Sequence, residues 1–402
     1  MKPYSVFGPE HIEQGATTQM ENVMSLAPVV KGALMPDAHQ GYGMPIGGVC
    51  AVENAVIPYA VGVDIGCRMQ MTILPKVENF KNKYGPMYSR LKQSLKDVTY
   101  FGGYARPKKP HDHPIMSDPR WYLVDKLGIK THDGESLKDK AHRQLGTSGS
   151  GNHFVEWGNI KPDGSTLPPW VTEDSLALMS HSGSRALGYA IANHFTKLAA
   201  SINPLPEPLN ELSWLSMETE EGQLYFALME LCGDYSAANH DCIHEQVIEE
   251  AVGSFAGLVI SNHHNFAWRE MVDGKQLYVH RKGATPAGRG VFGIIPSSMA
   301  TPAHIVIGKG SEDSINSASH GSGRAMSRSK AFKNITPIQR DRMLEDNGVE
   351  LLGGGMDEAP QAYKDISKVM AAQSDLVQTV ATFKPHIVRM AGKVEEDKSE
   401  GS

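Results

Sequence analysis

Of the 17 histidines in this 402-residue chain, five sit in glycine-rich or polar turn sequence instead of on helix faces. They are His153 in GSGNHFVEW, His181 in MSHSGSR, His263 and His264 in SNHHNF, and His320 in SASHGSGR. Asp64 and Cys67, in VGVDIGCRM, add a carboxylate and a thiol. Imidazole, carboxylate and thiolate drawn from separate loops are the usual ligands of a transition metal. Taken singly, each histidine is more often a hydrogen-bonded or surface residue, and Cys67 an inert buried thiol. The cluster is preferred because every member lies in a loop flanked by small or polar residues, where the backbone can bring ligands together. On residue chemistry alone zinc comes first, while a carboxylate with open positions admits manganese.

The run His320-Gly321-Ser322-Gly323-Arg324 suggests phosphate chemistry. Small residues after a histidine let backbone N–H groups approach a phosphate, and a helix starting there favours anions. Arg324 can then pair with the phosphate, and the imidazole can act as a nucleophile that forms a phosphoramidate. The plain alternative is an ordinary turn into a helix with a surface arginine. VHRKGATPAGRG concentrates Arg281, Lys282 and Arg289 among glycines, which suits a triphosphate without matching a Walker pattern; a solvated hairpin is its plain alternative.

The elements that must position these residues are read from periodicity and punctuation. A short helix is expected around Thr18 to Leu26. Between Met35 and Thr72, β-prone runs at Gly48 to Ala51, Ala60 to Val63 and Met69 to Ile73 alternate with Gly and Pro. Residues 77–98 carry apolar positions at helical spacing. Residues 103–118 are Pro-rich and read as an exposed loop. A strand is expected over Leu176 to Ser180 and a helix over Arg185 to Ala200. Gly222 to Gly253 reads as a long helix or a helix pair. Strands and turns follow from Leu258 to Gly308, then helices from Ser322 to Lys333 and from Pro360 to Thr382. Pro204 to Pro208 is too short a linker to divide domains.

Composition bounds the function. The chain has 40% hydrophobic and 21% charged residues, as an ordinary globular protein does. Its 40 glycines predict many tight turns or close backbone approaches. Four cysteines are too few for a disulfide scaffold, so a reducing cytoplasm is expected. No apolar run is long enough to span a bilayer, and the first residues lack the apolar core of a secretory signal. A net charge of −6 excludes nucleic-acid binding by bulk electrostatics. Any RNA must be held by a local patch, for which Arg324 to Arg342 is the candidate; on charge alone it reads as a solvated helix face.

Taken together, the segments MPDAHQGYGMPIGGV, VGVDIGC, GTSGSGNHFVE, SHSGSR, HHN, RKGAT, HGSGR with MSRSKA, and DEAPQAYKD resemble the RtcB family of RNA-splicing and RNA-repair ligases. The resemblance covers about Met35 to Asp365 and keeps the family's order. It implies an α+β fold, one mixed α/β domain over residues 1–393 with sheets and flanking helices around a deep central cleft for metal and nucleotide. Residues 394–402 would be a disordered tail. It implies two ions, usually manganese, with Cys67 bridging: Asp64 and His153 complete one site, His181 and His264 the other. His320 would take GMP from GTP. Asn152, Glu156, His264, Asn265, Ser298, Gly321, Gly323 and Lys393 would line the nucleotide site, and Arg185, Lys282 and Arg324 would handle phosphates. The reaction implied is joining of RNA 3′-phosphate or 2′,3′-cyclic phosphate ends to 5′-hydroxyl ends through an RNA–ppG end. The RNA is left open between tRNA halves and damaged RNA, and an activating protein partner is compatible with it.

The chain departs from the family pattern twice. A guanine-contacting serine falls on Ala303, and a guanine-contacting lysine falls on Met390, with Lys393 three residues later. Two other functions use the same residues. A metal-dependent phosphoesterase acting on RNA ends would keep the Asp64, Cys67 and histidine cluster without needing His320 as a nucleophile. A non-catalytic RNA-binding protein on a ligase scaffold would bind RNA independently of metal.

Overall fold

Apolar and β-branched runs separated by glycine and proline give this chain two main sheets with helices packed against them. The computed structural model describes residues 2–131, 134–253 and 256–392. The first strands are β1 (Tyr4–Val6), β2 (Val29–His39), β3 (Ile46–Val52), β4 (Ala55–Val56) and β5 (Arg68–Ile73). Next come β6 (Phe154–Pro162), β7 (Leu176–Ser182), β8 (Leu215–Ser216), β9 (Leu258–His263), β10 (Asn265–Val272) and β11 (Lys275–Lys282). The last are β12 (Ala284–Pro286), β13 (Phe292–Ile295), β14 (Ala303–Gly308), β15 (Ser317–Ser319), β16 (Glu350–Gly353) and β17 (Val377–Met390). The helices are α1 (Gln14–Ser25), α2 (Pro58–Val61), α3 (Pro86–Val98), α4 (Trp121–Lys126) and α5 (Leu137–Gln144). They continue with α6 (Arg185–Ile202), α7 (Glu220–Val252), α8 (Arg328–Asn334), α9 (Pro337–Asn347) and α10 (Ile366–Ala371). Among the described residues no helix is long and apolar enough to cross a membrane.

One sheet has five strands in the order β1-β2-β3-β11-β10. The other has eight, running β13-β14-β17-β6-β7-β5-β9, with β16 parallel to β17. Strands β5, β6, β7 and β9 pair antiparallel, so the first residues of β5 and β6 lie at the same end as the last residues of β7 and β9. That end carries the site. The mixed α/β architecture is the one expected from the sequence.

The 33-residue α7 is a single helix. Thr219 caps it by accepting from Gly222 N, and it is buried on so many faces that it acts as a spine behind the eight-stranded sheet. His244 of α7 meets Thr72 Oγ1 at 2.7 Å and Ser180 Oγ at 2.8 Å, while His240 meets Ser180 Oγ at 2.7 Å. These bonds fix α7 to β5 and β7 beside His181.

Four expected elements differ. The helix read over residues 77–98 begins only at Pro86, so Phe80 and Tyr84 precede it. Ala60 to Val63 is not a strand: Pro58 to Val61 form the turn of helix α2, with proline at its start, where its fixed φ suits a helix. The helix expected from Ser322 begins only at Arg328, where Ser327 caps it by accepting from Lys330 N. The helix expected over Pro360 to Thr382 stops at Ala371, and Val377 onward is strand β17.

Candidate metal and nucleotide site

Four adjacent strands deliver the ligand candidates. Cys67 immediately precedes β5, His153 precedes β6, His181 lies near the end of β7, and His264 follows β9. The register sets Met69 opposite His181 and His181 opposite Phe154, so these ends lie side by side. Cys67 Sγ is 3.1 Å from His181 Nε2 and 3.6 Å from His153 Nε2. His153 Nε2 is 3.0 Å from Asp64 Oδ2, and His181 Nε2 is 3.2 Å from His264 Nε2. The Cys67, His153 and His181 ligand atoms all lie within 4.8 Å of one another. Glycine makes room for them: a Cβ on Gly183 would stand 2.1 Å from Asp64 Oδ1, and one on Gly149 would stand 2.0 Å from His153 Nδ1.

The donor set fits divalent metal. Burial, reinforced by His153, drives His181 down to about 3, and burial followed by His320 and His181 drives His264 well below its ordinary value. Both rings are therefore neutral near pH 7. His181 Nδ1 donates to Asn152 O at 3.0 Å, which leaves the lone pair on Nε2, facing His264. Burial opposes ionisation of Asp64, yet the hydrogen bond and charge of His153 hold its carboxyl below the usual range. Burial and then the Asp64 carboxylate push the Cys67 thiol well up, so a nearby cation is what would favour its thiolate.

A second group comes from the junction with the five-stranded sheet. His320 follows β15, and its Nδ1 is 2.7 Å from Oδ2 of Asp37, a fully buried residue of β2. The His320 ring lies 4.9 Å from that of His264, centroid to centroid. Gly323, at φ 71, lets the turn pass over β2: a Cβ there would meet Asp37 O at 2.1 Å. Ser322 N donates to Pro296 O at 3.1 Å and ties this turn to the loop of Ser298. Ser298 Oγ itself lies 2.8 Å from Thr301 Oγ1. Asp37 was not singled out by sequence reasoning; its signal was an acid within the apolar run of β2.

The other expected residues are placed as follows. Asn265 Oδ1 accepts from Gly283 N at 2.8 Å and its Nδ2 donates to Asp64 O at 3.3 Å, so it braces the metal loop. Lys282 ends β11 with Nζ donating to Tyr42 O (2.5 Å) and Tyr59 O (3.2 Å), and burial lowers it to about 8. Arg185 opens α6 at φ 57, a backbone conformation costly for a residue with a side chain. Its guanidinium donates to Thr147 Oγ1 at 3.2 Å and Gly102 O at 2.7 Å. Glu156 is buried in β6, which pushes its carboxyl well up. Gly321 follows His320 in the same turn, and Lys393 lies outside the described residues.

Two cationic segments resolve differently from their phosphate readings. Arg281 is fully buried and paired with Glu270 at 2.6 and 2.9 Å, so it ties β11 to β10 and is not offered to a ligand. Arg324 donates to Asp357 O at 2.6 Å and approaches Glu358 at 3.4 Å. With α8 beginning only at Arg328, the His320 turn is not a helix N-terminus. His263 turns away from the cluster and stacks on Trp268, with ring centroids 5.0 Å apart.

Residues 19–391 match the family model described as tRNA-splicing ligase RtcB. The chain is 33% identical to the RNA-splicing ligase RtcB of Escherichia coli K12, with 93% of each chain covered. It is 30% identical to the tRNA-splicing ligase RtcB of Methanococcus maripaludis, covering 94% of this chain and 91% of that one. Identity to the RNA-splicing ligase RtcB of Mycobacterium tuberculosis is 28%, over 91% of this chain and 98% of the other.

Proposed function

The chain belongs to the RtcB family, and from that premise we propose that it is an RNA ligase. Its reaction, in this reading, joins an RNA 3′-phosphate or 2′,3′-cyclic phosphate end to a 5′-hydroxyl end and consumes GTP. The observation that carries the reading is the His320–Asp37 pair beside the metal-ligand cluster.

Because Nδ1–H of His320 donates to Asp37, the ring's free lone pair is on Nε2, the atom that attacks. Nε2 forms a P–N bond to the α-phosphorus of GTP, and pyrophosphate leaves. The ring becomes cationic as that bond forms, and the buried Asp37 carboxylate stabilises it. An oxygen of the RNA 3′-phosphate then displaces Nε2 from phosphorus and yields an RNA–ppG end. The 5′-hydroxyl oxygen attacks the RNA phosphorus, loses its proton and expels GMP, which completes the phosphodiester. A cyclic phosphate would first be hydrolysed to the 3′-phosphate.

Two manganese ions are assigned, one to Asp64, Cys67 and His153, the other to Cys67, His181 and His264. When bound they would act as Lewis acids on the phosphoryl oxygens. Asn152, Glu156, Asn265, Ser298, Gly321 and Gly323, with Lys393, are assigned to the nucleotide, and Arg185, Lys282 and Arg324 to phosphates. Arg324 would have to exchange its contacts with Asp357 and Glu358 for this. Four free, buried cysteines support a reducing, cytoplasmic setting.

The test is incubation with α-labelled GTP and manganese, followed by denaturation, with the His320→Ala variant as control. Acid-labile label on the denatured wild-type chain, absent from the variant, is expected. No label with GTP or ATP, together with phosphate release from RNA ends, would replace the ligase with a phosphoesterase. Metal-independent RNA binding without either reaction would leave a binding protein.

A further inference from the structure

An open cleft of about 380 Å³ lies along α9, between the end of α8 at Asn334 and the segments that carry Met326 and Gln361, and the site described above does not use it. Met326, Ile335 and Met343 give it an apolar floor, and Gln339, Gln361 and Arg342 bring amides and a guanidinium to its wall; Asp346 is the one acid lining it. Gln361 Nε2 donates to Gln339 O at 2.9 Å, while its Oε1 is buried without a hydrogen-bond partner. A buried acceptor left unpaired costs roughly 1–3 kcal/mol, which a rotation of the Gln361 amide toward a ligand N–H in the cleft would recover. Flat apolar contact with a few amide groups at the edge is what a splayed-out nucleobase requires.

The flank of the cleft has the matching charge. Helix α8 reads RSKAFKN and contains no acid. Lys330 and Lys333 are exposed, and neither makes an ion pair recorded among the described residues. Phe332, with 60% of its surface in solvent, projects from the neighbouring side of the helix next to Lys333. Unpaired lysines alternating with an exposed aromatic suit a single strand, with phosphates on the cations and a base on the ring. In a chain of net charge −6 such a patch is local, as RNA binding here requires. It also borders the site: the Arg328 guanidinium of α8 lies against Gly151, two residues before His153.

We propose that the α8–α9 cleft and the Lys330–Phe332–Lys333 ridge form a docking subsite for single-stranded RNA beside the reacting end, seating one nucleobase and its flanking phosphates. This rests on the ligase reading for its choice of RNA over a protein partner.

The probe is a fluorescein-labelled single-stranded RNA ending in 3′-phosphate, titrated by anisotropy over a range of salt concentrations. Wild type is compared with Lys330→Gln/Lys333→Gln and with Gln361→Leu, and guanylylation of His320 is measured without RNA. For the lysine pair, labelling should stay unchanged while RNA affinity falls about tenfold. The slope of log K against log salt should shrink by about 1.4, two contacts at ~0.7 each. Gln361→Leu should change the ranking of homopolymer RNAs and leave the salt slope alone. Normal labelling with RNA affinity and slope unchanged in the lysine variant overturns the subsite and leaves the ligase. Lost ligation with intact RNA binding also overturns it, in favour of a protein partner. If wild type takes no label yet its RNA binding depends on these lysines, the ligase reading fails and the subsite stands.

Discussion

At the scale of single residues, most of the ligand cluster was legible because its chemistry is unusual for its local sequence. Asp64, Cys67, His153 and His264 sit in loops beside strand ends, while His181, read from the sequence as a turn residue, lies within the last residues of β7; the strand ends gather all five. His263 met the same criterion and turns instead onto Trp268, because adjacent residues at a strand end point to opposite sides. Asp37 was missed for the opposite reason. Its partner is 283 positions away, and no local pattern reports that separation. Asp37→Asn keeps the shape but offers an N–H to Nδ1, which moves the ring proton to Nε2 and removes the attacking lone pair. Labelling of His320 by GTP should fall about 10³–10⁴-fold with little change in melting temperature. A variant that labels at the wild-type rate would remove Asp37 from the mechanism.

Cys67 is the only candidate ligand shared between the two proposed ions. Cys67→Ala should therefore release both, whereas Asp64→Ala should release one. Metal content after dialysis, read by plasma mass spectrometry, distinguishes these outcomes. One ion retained in the cysteine variant would argue against bridging.

At the scale of elements, strands and helices with one consistent period were readable: β3, β5, β7, α6 and α7 fall where apolar spacing puts them. The failures share a cause, which is tertiary packing overriding a local pattern. β17 carries Pro385, and a proline argues against a central strand; the chain accommodates it with a register shift between Pro385 and Ile387. α2 contains β-prone residues but is fixed from outside. His280 of β11 accepts at Nε2 from Ile57 N at 3.0 Å, just ahead of α2, and its Nδ1 is satisfied by Tyr278 O at 3.0 Å.

That arrangement has a pH consequence. Burial lowers His280 from 6.5 to about 4. Above pH 6.5 the ring is neutral whether the chain is folded or unfolded, and its contribution to stability is complete. Below 6.5 the unfolded chain takes up the proton and the folded chain does not, so stability falls by ~1.4 kcal/mol per pH unit until about pH 4. His280→Gln still has an oxygen to accept from Ile57 N but cannot titrate. It should be less stable at pH 7 and show a shallower loss between pH 6.5 and 4 in denaturant titrations. An unchanged slope would mean that other groups dominate acid unfolding.

At the scale of the whole molecule, the last strand of the described residues lies in the middle of the larger sheet. β17 pairs with β14 on one side and β6 on the other, and it buries Val380, Ala381, Phe383, Ile387 and Val388. Without it, the strand pairing that joins β14 to β6 is lost, and β13 keeps its side-chain tie to β9, where Ile294 N donates to Asn262 Oδ1 at 2.9 Å. The site therefore draws on residues far apart in the chain, from Asp37 of β2 to the strands that β17 joins to the rest of the sheet. A chain ending at Leu376 exposes the β6 edge and loses a core far larger than the few kcal/mol of net stability a domain has. It should be recovered as aggregate, or as soluble chain without near-ultraviolet dichroism, and without GTP labelling. A chain ending at Lys393 keeps all of β17 and should melt within about 2 °C of the full chain, as expected when only a terminal segment is removed. If the shorter chain folds and labels, β17 is an accessory strand; if removing 394–402 destabilises the protein, the domain extends beyond residue 393.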